Sequence, residues 1–207
     1  MITQRFNTSL EWRGGWPVNH TLYGFIQLLE YLESNIEHKV PRESKMIEIG
    51  SYMGESTMLF ASTGIFQEIH AIEPFEGKEK FSDDFGYEWE QIGKEFEKNT
   101  RIFDDDEIIN LHLDYSYNVH ERFEDGTFNF VYIDGDHSYD GVKRDIELYL
   151  PKIKEGGIIG GHDYNKKEWE GVVKAVNEYF TEPDFVFRDL TWVKKINPSK
   201  EVSNEDE

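Results

Sequence analysis

Strand-like and helix-like stretches alternate along most of this chain, and that alternation limits the fold more than any single residue does. Short apolar runs at 46–49, 68–72, 108–113, 128–133 and 157–161 read as strands. Helical spacing fills the gaps: 56–62, then Trp89, Ile92 and Phe96, then 117–123, then 142–150 with Ile146 and Leu150 four apart. Upstream, Leu22, Phe25, Ile26, Leu29, Leu32 and Ile36 predict a helix with one buried face over 19–37, stopped by Pro41. Strands separated by helices imply βαβ units and a parallel sheet. After a helix over 169–180, the stretches 185–187 and 190–196 are close enough to pair as a hairpin. The last strand should then run antiparallel to its neighbour. The expected class is α/β, with a mostly parallel seven-stranded sheet, helices on both faces and an antiparallel last strand. Residues 1–44 are expected to add an arm and a helix to the same domain, 45–198 to form its body, and 199–207 to be a disordered acidic tail.

The strand at 46–49 leads into a turn of unusual composition. Residues Glu48-Ile-Gly50-Ser-Tyr-Met-Gly54 have the form E-x-G-x-x-x-G, and a helix pattern follows from Ser56 and Thr57. Glycine permits a sharp turn and lets a ligand come close with no Cβ in the way. In open parallel sheets, ligands bind beyond the carboxyl ends of the strands. The other strand ends are therefore informative. They carry Glu73, then Asp114 and Ser116, then Asp134-Gly135-Asp136-His137, then His162-Asp163-Tyr164. Turns favour Asp and Gly, so one or two polar ends mean little; five in succession argue for a site. An acid at the end of the second strand, Glu73, can accept hydrogen bonds from both hydroxyls of a ribose. Asp114 suits an exocyclic amine of a purine or, equally, the N-cap of the next helix.

Asp134, Asp136, His137, His162 and Asp163 fall on two strand ends that lie side by side in most such sheets. Carboxylates with an imidazole suit Mg²⁺, Mn²⁺ or another divalent ion. Of Asp134 and Asp136, two residues apart, one can hold the ion while the other stays free as a general base. The alternative is structural: Asp134 caps its turn and His162 is a satisfied core residue. Asp104, Asp105 and Asp106 read as a solvated loop.

Charge narrows the partners. There are 42 acids against 22 bases, a net charge of −20, and such a surface repels phosphate backbones. Nucleic acid is not expected. No stretch approaches the roughly 18 apolar residues of a membrane span. The absence of cysteine removes disulfides and thiolate metal sites, and fits a cytoplasmic protein.

These residues resemble a family. The turn Glu48 to Gly54 looks like the first motif of the class I S-adenosylmethionine-dependent methyltransferases, with Glu73 as the ribose acid. The pair Asp134-Gly-Asp136-His137 and Gly161-His162-Asp163-Tyr164 is similar to the metal-dependent sugar O-methyltransferases of the macrocin type. It also resembles, more distantly, the catechol O-methyltransferases. The resemblance implies a Rossmann-like domain and places the cofactor along Glu48, Gly50, Ser51, Tyr52, Gly54, Ser56, Thr57, Glu73, Asp114, Ser116 and Asp134. It implies Asp134, His162 and Asp163 as metal ligands and Asp136 as the base, with His137 as the other candidate. Here His162 stands where relatives have a second acid. Imidazole prefers transition metals to Mg²⁺, which leaves metal identity and metal dependence open.

The expected activity is methylation of a hydroxyl on a small molecule or sugar. Trp12, Trp16, Tyr52, Tyr139 and Trp169 are candidates for the acceptor pocket. The expected partner is a small-molecule acceptor, with self-association left open. Two rivals use the same sheet. A metal-dependent hydrolase or oxygenase needs neither Glu73 nor the Gly50 turn. A non-catalytic binding module keeps the fold without turnover.

Overall fold

The computed structural model of the protein describes residues 18–36, 44–76 and 88–197, with all side chains except those of 18–22 and 104–106. The arm around Trp12 and Trp16, Pro41, the side chains of Asp104 to Asp106 and the acidic tail lie outside the described residues. Seven strands form one sheet: β1 (Ser44–Ile49), β2 (Phe66–Ile72), β3 (Ile109–His112), β4 (Phe128–Ile133), β5 (Ile153–Gly161), β6 (Phe185–Val186) and β7 (Trp192–Lys195). Their spatial order is β3-β2-β1-β4-β5-β7-β6. The pairings among β1 to β5 are parallel, and β7 is antiparallel to both β5 and β6. This is the mostly parallel seven-stranded α/β sheet with an antiparallel last strand that the alternation of signals predicted.

Among the described residues, six α-helices accompany the strands: α1 (Val18–Asn35), α2 (Glu55–Ser62), α3 (Trp89–Thr100), α4 (Ser116–Val119), α5 (Tyr139–Tyr149) and α6 (Glu170–Phe180). Strand alternation divides the core in two. Met46, Phe66, Phe130 and Tyr132 face α1 and α2, meeting Phe25, Leu28, Leu29, Leu32 and Phe60. Ile47, Ile49, Val131 and Ile133 face α5 and α6, meeting Val142, Ile146, Val172, Val176 and Trp192. Each such side chain contributes about 1.5–3 kcal/mol on full burial, so both layers are firmly seated. Among the described residues, no helix is long and apolar enough to cross a membrane.

Boundaries differ from expectation where local chemistry is ambiguous. Strand β5 begins at Ile153, earlier than its apolar run, because Lys154 and Glu155 mask the start. Strand β3 stops at His112, and Leu113 beyond it is 68 % exposed.

The order of strands reverses between β1 and β4: β2 and β3 lie to one side of β1, and the chain then returns to the other. Such a switch point opens a crevice at the carboxyl ends of the two strands. Asp134 N donates to Ile49 O at 2.8 Å, so the two strand ends are bonded together there. Gly50 sits at that junction with φ +85°, and a Cβ on it would lie 2.2 Å from the Asp134 carbonyl oxygen. A demand of the fold therefore adds to the expectation that this glycine serves ligand approach. The fold itself requires it, because the neighbouring backbone occupies the space. Gly54 is similar: it is left-handed at the start of α2, and a Cβ would meet the Phe96 ring at 2.8 Å.

Candidate functional site

Two groups of side chains flank this junction. The first lies beyond β1 and β2. Glu48 is fully buried, and its Oε2 accepts from the Thr57 hydroxyl. Among the described residues, neither its Oε1 nor the buried Ser51 Oγ makes a hydrogen bond of good geometry, although the Ser51 and Ser56 hydroxyls lie near enough to favour the charged carboxyl. Burial pushes the Glu48 carboxyl up to about 7, and the hydroxyls of Ser56 and Thr57 partly offset that. An orphaned acceptor in a buried carboxylate costs about 1–3 kcal/mol, so a donor brought by a ligand is favoured here.

Glu73 is also buried. Its Oε2 accepts from Tyr52 N at 2.9 Å and its Oε1 from Phe75 N at 3.1 Å. Both donor residues adopt positive φ, 45° at Tyr52 and 48° at Phe75. Non-glycine residues held in this region cost of order 1–3 kcal/mol each and cluster at ligand sites. Each carboxylate oxygen has a second lone pair, so both can still accept from a ligand. Burial raises the Glu73 carboxyl and the two N–H donors oppose it. Asn99 of α3 braces the same loop by donating to Met53 O at 2.9 Å. Tyr115 stacks on Tyr117 with centroids 5.2 Å apart, and after burial the charges of Glu76 and Glu73 help raise its phenol.

The second group lies beyond β4 and β5. Single ligand atoms of Asp134, His162 and Asp163 all fall within 4.8 Å of one another. His137 is part of the same cluster. Its Nε2 is 2.7 Å from Asp163 Oδ2 and 3.3 Å from Asp134 Oδ1. Burial disfavours its charge, but the two carboxylates outweigh burial and push the imidazole up to about 10. His162, 3.3 Å from Asp163 Oδ1, rises to about 9 against burial, through Asp163 and then Asp134. Burial works against the Asp163 charge, yet the bonds from both imidazoles hold its carboxyl well below the usual range. One face of His137 lies against Trp169, with ring centroids 4.8 Å apart, and Trp169 remains 39 % exposed.

The residues singled out in the sequence separate clearly. Glu48, Ser51, Tyr52, Ser56 and Glu73 gather at the first group, and Asp134, His137, His162 and Asp163 at the second. Thr57 is fully buried and spends its hydroxyl on Glu48. Ser116 turns inward and donates to Asp145 at 2.5 Å. Asp114 accepts from Tyr115 N and Asn118 Nδ2, both at 2.8 Å, and reaches Arg122 at 3.3 Å. It is not the N-cap of α4, a place taken by Tyr115. Asp136 is exposed; it accepts from Ser138 N at 2.9 Å and packs over Gly141 at the start of α5. Tyr139 donates its hydroxyl to Glu178 of α6.

Sequence reading missed Phe75, which acts through its backbone and leaves no side-chain signature. It also missed Asp189, a buried carboxylate that accepts from Thr191 and whose charge helps raise His162. The Asp189-x-Thr191 spacing of an Asx turn was the available signal.

A family model described as a methyltransferase domain matches residues 47–164. An uncharacterised protein of Acanthamoeba polyphaga mimivirus is 26% identical over 167 residues, covering 76% of this chain and 67% of that protein. Solved structures share the fold at low identity. A protein of Corynebacterium glutamicum superposes with a TM-score of 0.58 at 14% identity, over 86% of this chain and 82% of that one. A caffeoyl-CoA O-methyltransferase-like protein from Staphylococcus aureus gives 0.58 at 15% identity, over 85% and 83%.

Proposed function

The chain belongs to the methyltransferase-domain family, which depends on S-adenosylmethionine, and from that premise we propose that it methylates a hydroxyl of a small molecule. The observation that carries the reading is the state of Glu73. Its carboxylate is buried and immobilised by two backbone donors, and it retains free lone pairs beside the orphaned Glu48 Oε1. These residues fit the cofactor: two acceptors for a ribose diol and one for an ammonium group. Bound there, the cofactor supplies an electrophilic sulfonium methyl. The acceptor hydroxyl is best received at the second group, where Trp169 offers an exposed flat face and His137 stands beside Asp134 and Asp163. Bringing the two reactants onto adjoining strand ends supplies positioning, which is the larger part of what such a site contributes.

For the cofactor, Glu73→Ala is expected to weaken S-adenosylmethionine binding by about 1–3 kcal/mol, read by calorimetric titration of a variant that melts cooperatively. Parent-like affinity in that variant would remove Glu73 from the cofactor site.

A divalent ion is the finer part of the proposal. Asp134, His162 and Asp163 fit one in donor type and spacing, with imidazole favouring a transition metal. An ion there would favour the alkoxide of the acceptor. At a hundredfold excess over Kd, a ligand bound only by the folded form adds about 2.7 kcal/mol, a rise in Tm of about 5–10 °C for a chain of this size. Asp134→Asn should abolish the rise seen with Mn²⁺ or Zn²⁺. If the parent's melting curve does not move with either ion, the proposal loses its metal.

A further inference from the structure

A pair of histidines remains on the other side of the sheet's cofactor edge, unused by the reading above. His70 in β2 and His112 at the end of β3 meet ring to ring, with Nδ1 and Nε2 2.9 Å apart. The second nitrogen of His70 lies 2.7 Å from Glu68 Oε1. A carboxylate only accepts, so His70 carries its hydrogen on Nε2 and its bare Nδ1 accepts from His112 Nε2–H. Phe123 packs against both imidazoles, with centroids 4.8 and 5.6 Å away, and Phe128 against His70 at 5.6 Å. The charged groups facing the pair are Glu68, Lys45 and Arg122. Lys45 already holds Glu68 at 2.5 Å, and Arg122 pairs with Asp114. The same His112 whose ring closes the pair also offers its carbonyl oxygen to Glu73 N at 3.1 Å and Asp114 N at 3.0 Å.

We propose that the His70–His112 pair is an acid-sensitive latch on the cofactor edge of the sheet, whose opening loosens β3 and with it the seat of Glu73. The latch itself is independent of ligand; its effect on binding rests on the cofactor reading of Glu73. One extra proton can be shared along the N–H···N line. With two, both facing nitrogens carry hydrogen and the rings must part. The aromatic wall shields the charge from part of the surrounding water, and Arg122 and Lys45 repel it, while Glu68 favours it at His70. Accordingly burial lowers His70, while burial, His70 and Arg122 hold His112 down at about 4. Both folded values lie below the ordinary histidine value. The stability they contribute is therefore fully present above pH ~6.5 and is lost as pH falls toward 4. An unfolded chain takes up two protons there, and the folded pair at most one. Each proton of difference costs about tenfold in the folding equilibrium per pH unit, or roughly 30-fold between pH 6.5 and 5.

The test is urea unfolding, and calorimetric binding of S-adenosylhomocysteine, at pH 7 and pH 5. It compares the parent with His112→Gln, whose side-chain amide donates to neutral His70 and, flipped, accepts from protonated His70, so that the variant takes up its one remaining proton folded as well as unfolded. The parent should lose about 30-fold more in its folding equilibrium than the variant, and several-fold more in cofactor affinity. Glu48 titrates in both proteins and cancels from the comparison. Should His112→Gln fail to fold at pH 7, His70→Gln takes its place. Equal losses in parent and variant overturn the latch. A stability difference with identical affinity profiles overturns its coupling to the cofactor. If neither protein binds S-adenosylhomocysteine at either pH, the cofactor reading fails, and the unfolding data alone still decide whether the latch exists.

Discussion

Substituting His137 by Gln is expected to lower turnover about 10²–10⁴-fold, while cofactor affinity stays at the parent's value. The family resemblance favoured Asp136 as the base, but the surroundings of the two residues point the other way. The Asp136 carboxylate is exposed and engaged with Ser138 N, over Gly141 at the beginning of α5. His137 lies within the cluster, 2.7 Å from Asp163 and against the exposed ring of Trp169. As it stands, the two carboxylates keep it a cation, suited to donating a hydrogen bond to the acceptor oxygen. It becomes a base once those carboxylates have another positive partner. Asp136→Asn should change turnover by less than about tenfold, because its hydrogen bond to Ser138 survives in the amide oxygen. The measurement is S-adenosylhomocysteine release with a saturating acceptor. Loss confined to Asp136→Asn would restore the original preference, and loss in neither would dissolve the assignment of this turn to catalysis.

The second large effect belongs to Gly50→Val. A β-branched residue at φ +85° is a genuine outlier. Its Cβ would also start 2.2 Å from the Asp134 carbonyl, a rigid backbone atom bonded into the junction of β1 and β4. Backbone strain of about 1–3 kcal/mol and a steric clash costing about 1–3 kcal/mol more together approach the whole stability of a marginal domain, about 5–15 kcal/mol. The variant should show a sharply lower urea midpoint or fail to fold. If it instead unfolds like the parent and only cofactor binding is lost, the glycine serves the ligand after all.

The sheet was readable because its strands are apolar on both faces and its helices on one. Phe128–Ile133 matches its sequence-based bounds, and α1 buries Phe25, Leu29 and Leu32 as the spacing predicted, with Ile36 buried just past its end, while Ile26 is only partly buried and the Leu22 side chain lies outside the described residues. Strand-end chemistry was readable for a different reason: topology brings the carboxyl ends of the five parallel strands to one rim, so Glu48, Glu73, Asp134 and Asp163 could be collected without knowing a single distance. What sequence could not convey is direction. Ser116 and Thr57 sit at the right heights, but each turns its hydroxyl to a buried carboxylate, Asp145 or Glu48. Asp136 sits beside the cluster, yet its carboxylate is drawn to the start of α5. Contributions made by peptide N–H groups, as at Phe75, have no residue-type signature at all.

The bond from Asp134 N to Ile49 O has a consequence for how such a protein can change over time. The two groups of side chains are joined by neighbouring strands, about 4.8 Å apart as in any sheet. Their separation is a property of the register, not of a loop or a hinge. The rim beyond it, where Trp169 opens the next helix, carries none of that spacing. Under the proposed function, substitutions there would alter which molecule is received without disturbing the alignment of donor and acceptor. Under the proposed function, the reaction and the choice of substrate would be written in different parts of the chain, each free to drift without the other.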